Sequence, residues 1–213
     1  MYNSMPDLLP MSKFRHYRVR LKNGKFIKIY GKIHTSEQLK KHLDRLMPAD
    51  VYNTISWWLN PEYLGSRKPQ IPKSKKKAVI TEYKIKNLLN NSFLGSDYLM
   101  DFDGDDYKSS VEMLDNVKLA KLKLNELGLY DFILVRTGRG YQLWVMDFWE
   151  WAKINIKHPR DREYACQKKM VKLTRELINA GIRWDYNVSI DTRRLARVIK
   201  TFHRNGVLVE RIQ

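Results

Sequence analysis

Residues 97–106 read DYLMDFDGDD, an apolar run that passes directly into carboxylates. Such a run predicts a buried β-strand, in which alternate side chains share a face. Met100 and Phe102 then point into the core. Asp101 and Asp103 project together on the opposite side. Adjacent carboxylates repel each other unless a cation lies between them, so the strand is predicted to end at a site for a divalent cation.

The carboxylates of this segment restrict the choice of metal. Hard oxygen ligands favour Mg²⁺ or Mn²⁺ over zinc. A calcium loop of the EF-hand type is one alternative, since its ligand positions would hold Asp101, Asp103, Asp105 and Glu112. That loop requires glycine at its sixth position, where this chain has Asp106, so calcium is disfavoured. A surface loop without metal is the other alternative, because Asp-x-Asp pairs also occur by chance in loops.

The chain as a whole is strongly basic. It has 40 Lys and Arg against 23 Asp and Glu over 213 residues, a net charge of +17, together with 12% aromatic residues. This composition is too hydrophobic for a disordered polycation and indicates a folded protein that binds polyanions, nucleic acid first among them. Residues 1–96 hold 19 basic and 6 acidic side chains, and residues 97–213 hold 21 and 17. The basic charge is therefore concentrated in the first part of the chain.

Cysteine content and hydropathy exclude other classes. The single cysteine, Cys166, excludes an internal disulfide and a multi-cysteine zinc module, so no zinc is expected. No run approaches the ~20 apolar residues of a membrane helix, and the N-terminus lacks the apolar segment of a secretory signal. We therefore expect a cytoplasmic protein without a membrane partner.

Local patterns in the first part of the chain predict a hairpin and a helix. Residues 17–21 and 26–30 alternate in polarity around an Asn-Gly pair, which is a strong hairpin signal. A helix should follow, because Thr35 and Gln38 fit a capping box and Pro48 marks its end.

Residues 67–77 combine two prolines with six positive charges and predict an exposed loop. The loop is a candidate clamp on a nucleic-acid backbone, and an ordinary solvated surface loop is the alternative. Its basic residues, which are the predicted nucleic-acid contacts, are Arg67, Lys68, Lys73, Lys75, Lys76 and Lys77.

The second part of the chain alternates strand and helix patterns. Residues 131–136 and 141–146 read as strands joined by a tight Thr-Gly-Arg-Gly turn, and residues 162–180 read as a long helix. An earlier helix is predicted to place in the core Val111, Leu114, Val117, Ala120, Leu124 and Leu127. This order predicts an α+β fold in which helices cover one face of a sheet.

Two further segments contain chemistry suited to a nucleotide. In residues 136–144, RTGRGYQLW, glycines let backbone amides approach an anion and arginine adds a bidentate donor. This segment is a candidate triphosphate site, and a plain structural turn is the alternative. Residues 184–206 place Asp185 before a cluster of cations, as a site for a metal-bound nucleotide would require.

The three segments in this order resemble the archaeo-eukaryotic primase superfamily, and most closely the small catalytic subunit of archaeal and eukaryotic primases. The most specific part is the third, where Arg197 follows Asp185 by 12 positions and His203 follows it by 18, which is similar to the family's spacing. The resemblance covers roughly residues 95–210.

This resemblance implies a primase-polymerase catalytic core in which helices flank an RRM-like antiparallel or mixed sheet. The chain would be a single catalytic domain, with a basic lobe at residues 1–96 and a metal- and nucleotide-binding lobe at residues 97–213. It implies two Mg²⁺ or Mn²⁺ ions held by catalytic carboxylates of Asp101, Asp103 and Asp185. The implied nucleotide-binding residues are Thr137, Gly138, Arg139, Gly140, Gln142, Arg197 and His203.

The chain departs from the family in its second motif. The family usually has a serine before the glycine, one more residue in the turn, and histidine where Gln142 stands. Glutamine can donate to a phosphate or sugar oxygen, but it cannot carry charge. The family's zinc-binding cluster is also missing, which implies a minimal catalytic form.

The implied activity is template-directed nucleotidyl transfer in DNA replication, that of a DNA primase or primase-polymerase. The implied partners are single-stranded or primed DNA, nucleoside triphosphates, and a large primase subunit or other replication proteins. One alternative is a noncatalytic nucleic-acid-binding replication subunit. Another is a gap-filling or end-joining repair polymerase of the same superfamily.

Overall fold

The computed structural model describes residues 4–61, 64, 92–203 and 206–212. The strands are β1 (Tyr17–Arg20), β2 (Phe26–Lys28), β3 (Asp50–Thr54), β4 (Ser56–Trp58), β5 (Phe93–Ser96), β6 (Tyr98–Phe102), β7 (Phe132–Thr137), β8 (Gly140–Val145), β9 (Leu195–Arg197) and β10 (Glu210–Arg211). The helices are α1 (Ser36–Leu46), α2 (Ser110–Glu126), α3 (Phe148–Ala152), α4 (Pro159–Asn179) and α5 (Tyr186–Ser189), and short 3₁₀ helices occur at Ser12–Phe14 and Gly104–Asp106. These elements confirm the predicted α+β class. The basic loop of residues 67–77 lies outside the described residues, and its role stays a prediction.

The first sheet has the strand order β2-β1-β3-β9, with antiparallel neighbours throughout. Side chains along its strands point alternately to an apolar and to a polar face. Helix α1 covers the apolar face, where its Leu39 and Leu43 are fully buried. The predicted capping residue Thr35 accepts a hydrogen bond from the backbone N–H of Gln38 and so starts α1. The predicted hairpin is confirmed as β1 and β2. Strand β9 comes from the second part of the chain and completes this sheet.

The second sheet has the order β10-β7-β8-β6 and is also antiparallel. Helices α2 and α4 share one apolar core with it, and Tyr98 on β6 exchanges a hydrogen bond of 2.8 Å with Thr174 on α4. Met100 and Phe102 are fully buried in that core, as the alternation predicts. The other face of β6 therefore turns away from these helices.

Both helices predicted in the second part of the chain are present, and the predictions differ from the structure only near the helix ends. Helix α4 runs from Pro159 to Asn179, so it begins three residues before its predicted start. In α2 the prediction that Val111 is a core residue was wrong, since its side chain is 65% exposed. Val111 lies in the first turn of α2, and Met113 supplies the buried apolar side chain there. Within the described residues, none of the helices has the length and apolar character needed to span a bilayer.

A buried ion pair lies between the first and second sheets, beside a third sheet in which β4 and β5 pair antiparallel. Arg15 Nη2 donates to Asp97 Oδ2 at 2.5 Å, and both side chains are fully buried. The same guanidinium donates to the carbonyl oxygens of Thr54 and Ile55, each at 2.9 Å. The pair therefore joins the entry to β1, the link between β3 and β4, and the link between β5 and β6.

We expect Asp97→Asn to destabilise the fold by about 3–5 kcal/mol, because it leaves a buried guanidinium without its counter-charge. Urea unfolding at pH 8, followed by far-UV circular dichroism, measures this loss. A change below about 1 kcal/mol would show that the ion pair does not hold the sheets together.

Candidate active site

The two acids of the 97–106 segment lie at the end of β6. Asp101 is the penultimate residue of the strand, and Asp103 follows it with extended backbone and an exposed side chain. Asp103 Oδ1 accepts a hydrogen bond from the N–H of Asp105 at 3.3 Å, which starts the 3₁₀ turn after the strand. The strand therefore presents one half-buried and one exposed carboxylate.

Asp185, the third predicted acid, lies beside β6 on the edge that has no strand neighbour. The backbone N–H of Asp185 donates to the carbonyl oxygen of Asp101 at 2.9 Å, and Ser189 Oγ donates to the carbonyl oxygen of Leu99 at 2.5 Å. Helix α5 thus lies along the edge of β6 and satisfies strand carbonyls that have no strand partner. This pairing brings the start of α5 beside the first metal-binding candidate.

The side chain of Asp185 already has contacts of its own. Its Oδ1 accepts a hydrogen bond from the N–H of Asn187 at 3.2 Å and caps α5. Its Oδ2 lies 4.0 Å from Arg194 Nη2. Asp185 therefore lies near Asp101 through the backbone, while its carboxylate is held by its own helix and by a cation.

The surroundings of Asp101 disfavour its ionised form. Burial, with smaller contributions from the charges of Asp103 and Asp185, raises the pKa of the Asp101 carboxyl to about 6. A hydrogen bond from Gln142 and the charge of Arg194 act in the opposite direction. The site thus holds an ionised carboxylate at neutral pH in surroundings that disfavour its charge.

The turn between β7 and β8 packs closely against the end of β6. Gly138 has φ +69°, which the first position of a two-residue type II′ turn requires. A Cβ atom at Gly140 would lie 2.2 Å from the carbonyl oxygen of Phe102, and one at Gly104 would lie 2.4 Å from that of Arg139. Only glycine permits both approaches. The turn therefore places Arg139 next to the acidic loop, where it forms an ion pair with Asp105 at 2.9 Å.

Gln142 connects the two sheets beneath the acids. It pairs across the sheet with Asp101, is 5% exposed, and donates a side-chain hydrogen bond to the Asp101 carboxyl. Its Oε1 accepts a hydrogen bond from the N–H of Arg197 on β9 at 3.4 Å. Both polar ends of this side chain therefore have partners within the protein, and its predicted contact with nucleotide stays a prediction.

Arg197 reaches the site from the first sheet. Its Nη1 lies 2.6 Å from Asp50 Oδ1 and 3.4 Å from Tyr52 Oη, and its guanidinium lies 5.2 Å from the centre of the Tyr52 ring. The Asp50 side chain is fully buried, so it fixes the direction of the guanidinium. Sequence reasoning missed Asp50 and Tyr52. The available signal was weak, an acid and an aromatic residue two positions apart, which places them on the same face of a strand.

These residues surround one cavity of about 470 Å³. Its lining contains residues from all three sequence segments, namely Asp101, Phe102, Asp103, Thr137, Arg139, Gly140, Gln142, Arg197 and His203. His203 is placed by a tight turn, since its N–H donates to Val207 and its carbonyl accepts from Gly206, each at 2.8 Å. Among the predicted site residues described here, Gly138 and Asp185 lie outside this lining.

The polar face of the first sheet leads away from this cavity. Arg18 and Arg20 project from β1 on the side opposite the buried Val19, and across the sheet Arg18 pairs with Tyr52. Phe26 is 50% exposed, and its ring centre lies 5.8 Å from that of Tyr52. The guanidinium of Arg20 lies over the Phe26 ring, 5.7 Å from its centre. This face, which we call the basic aromatic face, was not predicted as a functional surface from the sequence.

The donor chemistry of the three acids suits a hard divalent cation, because carboxylate oxygens are the ligands that Mg²⁺ and Mn²⁺ prefer. Burial is the main cause of the raised pKa of Asp101 and the charges of Asp103 and Asp185 add to it, and a bound cation would offset both effects. Within residues 4–61, 64, 92–203 and 206–212, however, no three His, Cys, Asp or Glu side chains form a ready-made ligand group. Metal binding therefore stays a prediction, and it requires Asp185 to exchange its present contacts.

Comparison with known proteins adds no family assignment. No protein-family model matches the chain, and no curated protein matches it significantly.

We expect Asp101→Asn to stabilise the metal-free protein at pH 7 by about 1–3 kcal/mol, because it removes a carboxylate that is forced to ionise while partly buried. The folded-state pKa of about 6 lies above the ordinary value of 3.8. The wild type therefore loses stability as pH rises from about 4 to about 6, and the variant lacks this loss. Urea unfolding in EDTA at several pH values measures the difference. If the free energies of unfolding of wild type and variant changed in parallel with pH, the destabilising effect assigned to the Asp101 carboxylate would be contradicted.

Proposed function

We propose that this chain is a template-directed nucleotidyltransferase of the primase-polymerase type, which uses two divalent metal ions. The observation that carries the proposal is the cavity of about 470 Å³, whose lining combines carboxylates, a glycine turn, two arginines and a histidine from three separate sequence segments. A binding module without chemistry has no need to gather acids and phosphate-binding cations around one cavity.

In the proposed reaction a hydroxyl group attacks the α-phosphorus of a nucleoside triphosphate. A new phosphorus–oxygen bond forms, the bond to the β-phosphate bridging oxygen breaks, and pyrophosphate leaves, while the hydroxyl proton passes to solvent. The hydroxyl belongs to a primer 3′ end or, at initiation, to the first nucleotide. Divalent ions bound by Asp101, Asp103 and Asp185 would promote loss of the hydroxyl proton and neutralise the leaving oxygens.

Two arginines and a histidine of the chain bind the triphosphate in this scheme. Arg139 approaches the cavity from the turn between β7 and β8, Arg197 from β9, and His203 from the turn that precedes Val207. Asp50 holds the Arg197 guanidinium in one direction, so less freedom is lost when a phosphate binds. Arg139 is paired with an exposed acid at the cavity edge, and a phosphate can replace that partner at little cost.

The basic aromatic face supplies a surface for the template. Single strands bind where bases stack on aromatic rings and cations contact the backbone. Phe26 is half exposed beside Arg20, and Tyr52 connects this face to Arg197 at the cavity. A template strand on this face would lead directly to the bound nucleotide.

Replacement of Asp101 and Asp103 by alanine is expected to reduce primer extension by at least about 100-fold, because charge at the reacting phosphate is no longer neutralised. The matched control is Asp106→Ala, which removes an exposed acid of the same loop that lies outside the cavity lining. Extension of a primed template with Mg²⁺ or Mn²⁺ measures the loss.

Unprimed single-stranded DNA in the same assay separates the alternatives. Synthesis of short products without a primer supports a primase, and activity confined to gapped DNA supports a repair polymerase. Equal extension by wild type and the double variant would contradict the catalytic assignment. Wild-type DNA binding without any extension would favour a noncatalytic replication subunit.

Stacking and charge should be separable in DNA binding. Phe26→Ala is expected to weaken binding of single-stranded DNA about tenfold with an unchanged salt dependence, because it removes a stacking platform.

Replacing Lys73, Lys75, Lys76 and Lys77 by glutamine should reduce the slope of log K against log salt by about 3, because four predicted phosphate contacts are lost. Fluorescence anisotropy at several salt concentrations measures both effects. Tyr130→Ala, which removes a 69% exposed aromatic residue elsewhere, is the control and should change neither.

A further inference from the structure

A second cavity lies at the other end of the second sheet. It has a volume of about 610 Å³ and contains acids from three strand ends. Asp97 precedes β6, Asp131 precedes β7 and Asp147 follows β8, whereas the catalytic candidates lie at the opposite ends of the same strands. Strands of five or six residues separate the two cavities by roughly 17–20 Å. A ligand in the second cavity therefore need not obstruct the first.

The charge of this cavity is opposite to that of the protein. Its lining includes Asp97, Asp131, Asp147 and Glu150, and among its described lining residues there is no lysine or arginine. Arg15, outside this lining, compensates the charge of Asp97, so the excess negative charge comes from the other three acids. The chain as a whole carries a net charge of +17. A concentration of carboxylates on such a protein repels nucleic acid and favours a cation.

Three of the residues that line this cavity each have one buried polar atom without a hydrogen-bond partner within the described residues. The three atoms are the indole N–H of Trp57, a residue that is 8% exposed, Oδ1 of the fully buried Asp97, and Oδ1 of Asp147. Buried polar groups in native proteins are almost always satisfied by protein or by ordered water, and here three unpartnered atoms belong to residues around one cavity. A ligand that satisfies all three offers donors to two carboxylates and an acceptor to one N–H.

Two tryptophans form an aromatic wall of the cavity. The rings of Trp57 and Trp149 are 6.3 Å apart at 70°. A Cβ atom at Gly95 would lie 2.6 Å from Trp57 Cε3 and 3.0 Å from Trp149 Cδ2, so the absence of a side chain there lets both rings close over the strand. Aromatic rings beside carboxylates are the surroundings in which proteins bind guanidinium groups.

We propose that this cavity, the arginine pocket, binds an arginine side chain of a partner polypeptide. The planar guanidinium stacks on Trp149 and donates to the free oxygens of Asp97 and Asp147, which an ammonium point charge does less well. The peptide carbonyl next to that arginine supplies the acceptor for the Trp57 N–H. The site is independent of the proposed transferase activity, and it gives a protein partner a place to dock away from the nucleotide.

The direct test uses Nα-acetyl-arginine amide as the probe with the full-length protein, followed by tryptophan fluorescence and isothermal titration calorimetry. The same compound with citrulline in place of arginine keeps the shape and removes the charge. We expect saturable binding of the arginine probe, at least about fivefold weaker binding of the lysine analogue, and no binding of the citrulline analogue. Equal binding of arginine and citrulline probes, or no saturation by arginine, would overturn the proposal.

Variants locate the binding. Asp131→Asn with Glu150→Gln removes two exposed charges from the pocket and should weaken the arginine probe at least about tenfold. Asp115→Asn with Glu126→Gln removes the same charge from exposed positions on α2, where each acid has a lysine partner, and should leave binding unchanged. Equal urea midpoints would show that both proteins are folded. Similar losses in the two variants would mean that the probe responds to net charge alone, and the pocket assignment would fail.

The unpartnered indole N–H of Trp57 provides a second test. Trp57→Phe keeps the aromatic wall and deletes the unpartnered N–H, so it should weaken Nα-acetyl-arginine amide more than agmatine, which has no peptide carbonyl. An equal effect on both probes would show that the N–H does not contact the peptide and would remove the polypeptide partner from the proposal. Stronger binding of spermidine than of the arginine probe would replace arginine with a general polyamine site.

Discussion

The ion pair of Arg15 and Asp97 determines where the two sheets meet. A guanidinium without water is stable only if its donors are satisfied, and here they reach Asp97, two carbonyl oxygens at the end of β3, and the carbonyl oxygen of Pro10. The rings of Trp57 and Trp144 lie within 6 Å of the same group. Because Asp97 immediately precedes β6, this network also fixes the start of the strand whose other end carries Asp101. The two cavities are thus set at the two ends of one anchored strand.

The parts of the fold that can be predicted from the sequence are those that depend on contacts between residues close together in the chain. The Asn-Gly hairpin, the Thr35 cap and the alternation of Met100 and Phe102 depend on contacts within a few positions, and each is present. The pairing of β9 with β3 joins residues more than 140 positions apart, and no local pattern encodes it. Arg15 was missed for the same reason, since nothing beside it in the sequence identifies a buried partner at Asp97.

The site shows the same division. Strand ends and turns carry the motif residues, so the order of motifs was enough to predict most of the cavity lining. The supporting contacts were not predictable, because they cross between sheets. Gln142 was predicted to contact nucleotide in place of the family's histidine, and that contact stays a prediction. What the sequence did not predict is that its side chain joins Asp101 to the backbone of Arg197. Asp50 could be identified only once β9 was placed beside β3, because its role is to hold the guanidinium of the neighbouring strand.

Asp97 and Asp101 lie at opposite ends of β6, and burial raises the pKa of each carboxyl to about 6. Their surroundings differ in what offsets that burial. Asp97 faces a guanidinium at contact distance, which offsets part of the cost of burying the carboxylate and gives the buried Arg15 its counter-charge. Asp101 faces two further acids and is supported by the amide of Gln142 and the charge of Arg194. The fold alone gains little from an ionised group in that position, since a neutral amide would accept the same hydrogen bond. In the proposed function a divalent cation balances this buried carboxylate, and the arginines that also line the cavity would bind the phosphates of a nucleotide beside it.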